Sequence, residues 1–283
     1  MKPALVKAPD VVRKRAVRGG FDLTALAALA VLTLREHLRG RRLLILSLLF
    51  LLPSVLAVVA RLTKHPPPPE HLEFVLLFNL LPHALAPLTA LLYAAGIIQD
   101  EVEEQTLTYL LLRPLPRWAL YITKLAVTIV VTSVLTGVFA ILAYGVIYWN
   151  TPELGQDVLP GRALKMAALL ALAQVSYCAL FGTLSLITRR ALLIGLGYIV
   201  AIEGLLASFE SVLRRLTVMY YFRVLSLRWL EPPDSKVWSI DLTTAPSAGE
   251  CVQRLLGASV VLTLLGAVLM MRREFRMKTP EGS

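Results

Sequence analysis

Six apolar runs separated by charged or proline-bearing segments dominate the chain: Leu43 to Ala60, Leu72 to Ile98, Leu120 to Trp149, Ala163 to Ile187, Ala191 to Ser208 and Val252 to Met271. About 20 apolar residues suffice for a helix to cross a hydrocarbon layer about 30 Å thick. Inside that layer each backbone N–H and C=O must be paired within its own segment, and a helix does this. The pattern predicts an all-α integral membrane protein with six transmembrane helices. The third run, positions 120 to 149, exceeds the layer at about 1.5 Å per residue, so its helix is expected to tilt or to project at one end. Tyr144, Tyr148 and Trp149 at that end read as interfacial aromatics.

The polar segments differ in kind. Residues 1 to 20 are a basic tail with Arg13, Lys14, Arg15 and Arg18, closed by Gly19 and Gly20, and read as a flexible arm near lipid headgroups. Residues 21 to 42 predict an N-terminal interfacial helix: an apolar run follows Asp22 as N-cap and ends in Arg35, Arg39, Arg41 and Arg42, too soon to span. A signal peptide has the same order of charge and apolar residues, but no small-residue cleavage site precedes Arg35. Pro66 to Pro69 form a stiff link. In the loop 209 to 250, Arg214, Arg215, Arg223 and Arg228 alternate at helical spacing with Met219, Tyr220, Tyr221, Phe222 and Trp229. This predicts an outer amphipathic helical hairpin between helices five and six, ended by Pro232 and Pro233.

Composition agrees: 57% of residues are hydrophobic and 17% charged over 283 residues, more apolar surface than a water-soluble core of that size encloses. Of the 29 Lys and Arg, 19 fall on the side of the N-terminus and 10 on the other. That division predicts a multi-pass protein of the cell (inner) membrane with both termini cytoplasmic. The net charge of +10 then reflects topology and contact with anionic membrane lipid, with no nucleic-acid partner. Cys178 and Cys251 lie in or beside apolar runs and read as free thiols.

Motifs for catalysis are missing from the sequence. It has no GxxxxGK[ST] phosphate loop, no HExxH zinc pair and no GxSxG nucleophile turn. Glu103 and Glu104 resemble the acidic pair of CAAX-type membrane metalloproteases, but Thr108 stands where those carry Arg. His37, His65, His71 and His83 are not at ligand spacing. No catalytic residue, metal or cofactor is expected on this chain. Three intramembrane polar residues, Asn79, His83 and Glu203, are candidates for a polar path. Two readings stay open for them: hydrogen bonding to a neighbouring helix or, for Glu203, to outer-loop arginines; or a substrate path or proton relay. Asn79 and His83 are four apart on one face, with Pro82 and Pro87 placed to kink the helix. Gly195, Gly197, Gly257 and Gly266 read as sites of close helix contact.

The stretch from Ala95 to Lys124 is acidic, Thr-bearing and punctuated by Arg and Pro, between two runs long enough to span. Gly96, Glu101, Glu103, Thr106, Leu110 to Leu112, Pro114, Arg117 and Lys124 follow in an order that resembles the cytoplasmic loop of ABC-2 type transporter permeases. Gln105 departs from it, since a Gly often precedes the Thr there. The interfacial helix, the six spans and the outer hairpin extend the resemblance over residues 21 to 283.

The resemblance implies a permease subunit of an ABC exporter, not itself an enzyme, moving a substrate outward. Its partners would be a second permease copy, identical or related, and two ABC ATPase subunits that hold ATP and magnesium. Residues 99 to 117 would be the coupling region, through Gln99, Asp100, Glu101, Glu103, Glu104, Thr106, Tyr109, Arg113, Pro114 and Arg117. Acid near the start of such a helix suits the macrodipole, and arginine at its far end offers contacts of opposite sign. A non-transporting subunit that relays ATPase motion to an outer partner, or serves cofactor maturation, has the same sequence features. A membrane-embedded hydrolase would need the catalytic residues that the sequence lacks.

Overall fold

The computed structural model describes residues 23–97, 116–149, 158–188, 190–205, 212–232 and 235–272, and all regular structure among them is helical. Helix α1 (Leu23–Arg39) stops at Gly40, whose extended backbone (φ −70°, ψ 144°) lets α2 (Arg41–Arg61) begin at once. The elbow is tight: a Cβ on Gly40 would sit 3.2 Å from the Glu36 carbonyl oxygen. Helix α3 (Pro69–Ala94) opens with proline in its first turn, where the missing N–H costs nothing. Its middle, Glu73–Leu85, is π-helical and contains Pro82, which has no N–H to give the ladder. Regular α-helix resumes at Ala86–Ala94 with Pro87 in its first turn.

After these come α4 (Arg117–Ile147), α5 (Leu159–Ile187) and α6 (Ala191–Tyr198, continued by π-helical turns Ile199–Leu205). Last are α7 (Val218–Trp229), flanked by 3-10 turns at Val212–Leu216 and Ser235–Trp238, and α8 (Ala248–Arg272). Helix α4, with 31 residues, is about 46 Å long, which is the overlength expected of the third run.

Among the described residues five helices, α2, α3, α4, α5 and α8, are long and apolar enough to cross a membrane. The described part of the run from Ala191 to Ser208 is helical in pieces of 8 and 7 residues, and 206 to 208 lie outside the described residues. The described residues of the loop 209 to 250 form one α-helix with short 3-10 turns. Met219, Tyr220, Phe222, Val224 and Leu225 of α7 are buried, packed largely on α5 and α8.

Helices α4 and α5 make the central pair; α3 and α8 pack on α5, while α1 and α2 pack on α4. Two glycines set close approaches. A Cβ on Gly266 would come within 2.5 Å of the Tyr121 hydroxyl, and one on Gly195 would run into Leu91. Gly197 and Gly257 face open space, so the expectation of close contact does not hold for them. Gly182, which the sequence pattern did not single out, lies 3.1 Å by the same measure from Leu125.

Polar side chains inside the bundle are satisfied locally and then across helices. Thr132 and Thr136 on α4 donate to the carbonyls four residues back, at 2.9 Å each. Thr183 of α5 donates to the Leu262 carbonyl of α8 at 2.8 Å, Ser259 of α8 bonds Ser176 at 3.1 Å, and Gln174 of α5 donates to the Ala86 carbonyl of α3 at 3.0 Å. Such bonds hold helices together where lipid offers no hydrophobic contrast. Cys178 and Cys251 are buried free thiols.

Candidate functional site

Two ends of the bundle carry the candidate residues. At one end the chain leaves α3 after Ile97 and returns at Pro116, whose extended backbone caps α4. Gln99, Asp100, Glu101, Glu103, Glu104, Thr106, Tyr109, Arg113 and Pro114 lie between, outside the described residues. Arg117 differs from its expected place at the end of that segment: it is the first residue of α4, and exposed. The flanks are firmly seated, since Ala94, Ala95 and Ile97 on one side and Ala119 and Leu120 on the other are buried.

Helix α1 is keyed to both flanking helices by one residue. The His37 ring stacks on Tyr93 of α3, with centroids 4.9 Å apart, and its Nε2 lies 3.0 Å from the Thr128 hydroxyl of α4. Helix α1 also exposes Val31, Leu32, Leu34 and Leu38, and Arg35, Arg39, Arg41 and Arg42 are exposed about the elbow. That is the form of a helix with an apolar face and a basic end, suited to a membrane surface.

At the other end, Glu203 is fully buried in the π-helical turns of α6. Its Oε1 accepts from the Val218 N–H and the Tyr198 hydroxyl, both at 3.0 Å, and its Oε2 accepts from the Met219 N–H at 3.0 Å. Tyr177 of α5 is a further hydrogen-bond partner. Every one of these groups is a donor, which is what an ionised carboxylate requires. The N–H groups are the first of α7, so Glu203 caps that helix alongside the Thr217 hydroxyl, which accepts from Tyr220 N–H at 3.2 Å. Burial in this way is affordable only because the charge meets several donors and the helix pole together.

Asn79 and His83 join the same region. Asn79 donates to the Phe74 carbonyl at 2.9 Å and accepts from the Trp238 indole N–H at 3.3 Å, while His83 hydrogen-bonds the backbone of Gly204. The Arg223 guanidinium lies over the Trp238 ring, 5.7 Å from its centroid, and acts electrostatically on both Glu203 and His83. Asn79, His83 and Glu203 thus belong to one polar cluster, organised by two residues of the segment between α6 and α8, Arg223 and Trp238.

A second buried carboxylate went unnoticed in the sequence. Glu73, 1% exposed, accepts from Tyr144 at 2.7 Å and from Tyr148, and forms a 2.7 Å ion pair with the Arg162 Nε. Arg162 Nη1 in turn donates to the Leu230 carbonyl, the C-cap of α7, at 2.7 Å. Burial, then the hydrogen bond to Glu73, pushes the Tyr148 hydroxyl above its ordinary range and keeps it a donor. Tyr144 and Tyr148 are therefore not interfacial aromatics; both are buried against a carboxylate, and Trp149 alone of the three is exposed. The one signal for this was Glu73 itself, an acid placed just inside an apolar run.

Among curated proteins none matches the chain. The family described as ABC-2 family transporter protein matches residues 37–204, more than half of the sequence. The match runs from His37, the key between α1 and the two flanking helices, through the segment between α3 and α4, to Gly204 beside the Glu203 cap. The chain is a multi-pass helical bundle that belongs to the ABC-2 transporter family, the membrane component of an ABC transporter.

Proposed function

We propose that this chain is the permease subunit of an ABC exporter, in which two permease copies pair with two separate ATPase subunits. ATP and magnesium are held by those subunits, since the sequence has no phosphate loop of its own. The observation that carries the reading is the way His37 ties α1 to Tyr93 and Thr128, on the two helices that flank residues 98–115. A docking element between two packed helices passes its displacement to both at once, because close-packed interiors shift as units. Gln99 to Pro114, with Arg117 opening α4, form the docking element, and Glu101 and Glu103 meet a basic patch on the ATPase. The docking side is cytoplasmic, together with both termini, in the cell (inner) membrane, and α7 lies on the outer side. Substrate moves outward.

Purification of the full chain, alone and expressed with an ABC ATPase subunit, tests this reading. The expected result is no ATP turnover by the chain alone and a stable assembly of two permease and two ATPase chains. Robust turnover by the chain alone in detergent would overturn it.

A further inference from the structure

Helix α7 is tied to the bundle at both ends, by opposite charges on different helices. Its N-terminal N–H groups, Val218 and Met219, are held by Glu203 of α6. At its C-terminal end the Leu230 carbonyl is held by Arg162 of α5, and the Trp229 carbonyl accepts from Lys165 at 3.4 Å. An anion at the N-terminal pole and cations at the C-terminal pole both favour the helix dipole.

What stands behind the two anchors is unequal. Arg162 is itself pinned by Glu73 of α3, which Tyr144 and Tyr148 also hold from the α4 side. Arg228 adds a further tie at that end, donating to the carbonyls of Leu242, Ala245 and Pro246 at 3.1 to 3.2 Å. Glu203, by contrast, sits in π-helical turns that follow the eight α-helical residues of α6. Wide turns of this kind interrupt the regular ladder and often mark places where a helix changes register. The Leu192, Leu193, Ile194, Leu196 and Val200 side chains of α6 are exposed, so much of its surface has no neighbour among the described residues.

We propose that α7 is a crossbar latched at one end and hinged at the other. Glu203 is the latch, and the Arg162–Leu230 contact is the hinge. Because both carboxylate oxygens face α7 donors, α6 cannot shift along α5 without either carrying the N-terminus of α7 or leaving two N–H groups, one buried and one part-buried, without this acceptor. The C-terminal end stays fixed on α5 in both cases. Glu203 and Arg162 act here as positioning residues, and nothing in the device depends on the substrate or the ATPase.

Hydrogen exchange of the purified full-length chain in lipid nanodiscs, read by mass spectrometry, separates latch from hinge. Glu203→Ala is expected to speed exchange of the amides at 218 to 221 by about tenfold or more, with those at 226 to 230 unchanged. Glu203→Gln is expected to do the same if the alanine variant fails to accumulate. In either orientation of its amide, an NH2 replaces one oxygen that faced an α7 N–H. Tyr198→Phe removes a donor and no acceptor, so α7 exchange should stay within about twofold of wild type. Unchanged exchange at 218 to 221 in the Glu203 variants would show that Glu203 is no latch. A uniform rise along all of α7 would show that the helix is released whole and has no hinge.

Discussion

The two ends of this bundle are built from different chemistry. At the end bearing α7, charges are buried and shared: Glu73 with Arg162 and two tyrosines, Glu203 with two backbone N–H groups and two tyrosines. At the end bearing α1, the arginines about the elbow are exposed, and contact between α1 and its neighbours is made by a stacked ring pair, one hydrogen bond and apolar packing. Buried, mutually satisfied charges fix one arrangement, because any displacement strands a charge in a medium of low dielectric. Packing contacts and exposed side chains allow small rigid shifts at far lower cost. One end is thus held by buried charge and the other by packing.

Removing Glu73 should have the largest effect on stability. Glu73→Ala leaves Arg162, Tyr144 and Tyr148 facing no carboxylate, and breaking a buried pair on one side costs about 3 kcal/mol or more. Thermal unfolding in detergent should show a large fall in Tm or loss of monodisperse protein; a Tm within a degree or two of wild type would mean that this end is not held by charge.

An intermediate effect is expected where α8 packs closely on α4. Gly266→Ala drives a methyl group into Tyr121 and should cost about 1 to 3 kcal/mol. Gly257→Ala, which meets nothing within 4 Å, should leave Tm unchanged or slightly raised, since alanine favours helix. Equal Tm values for the two variants would contradict the close approach of α8 to α4.

The smallest effect belongs to the α1 end. His37→Ala removes the stack on Tyr93 and the bond to Thr128, about 1 kcal/mol in sum. Limited proteolysis of α1 should quicken severalfold while the Tm of the bundle barely moves. A fall in Tm as large as that of Glu73→Ala would erase the distinction between the ends.

Much of the fold was legible because hydrocarbon permits little else: the long apolar runs became α2, α3, α4, α5 and α8 with ends shifted by a few residues. In the α6 run, composition shows the apolar stretch but not the change from α-helical to π-helical turns at Ile199. Aromatic residues at a span end look alike in sequence whether they face headgroups or a buried acid, which is why Tyr144 and Tyr148 were misjudged. Their partner, Glu73, lies more than 70 positions away, and Arg162 is 89 positions from Glu73. Periodicity carries no information at that range. Glu203 stood out as an acid inside an apolar run, but its partners at Val218 and Met219 depended on how the chain turns beyond α6.

The most direct test of the account is charge reversal in the segment between α3 and α4. Glu101→Lys with Glu103→Lys would set like charges against a basic patch on the ATPase, a penalty on the order of several kcal/mol. The control, Glu153→Lys with Asp157→Lys, falls in the sequence between α4 and α5, outside the described residues. The measurement is the amount of ATPase that co-purifies with each full-length variant. Loss of ATPase from the first variant, with insertion intact and the control like wild type, is the predicted result. Equal ATPase recovery from both variants at the wild-type level would contradict the account.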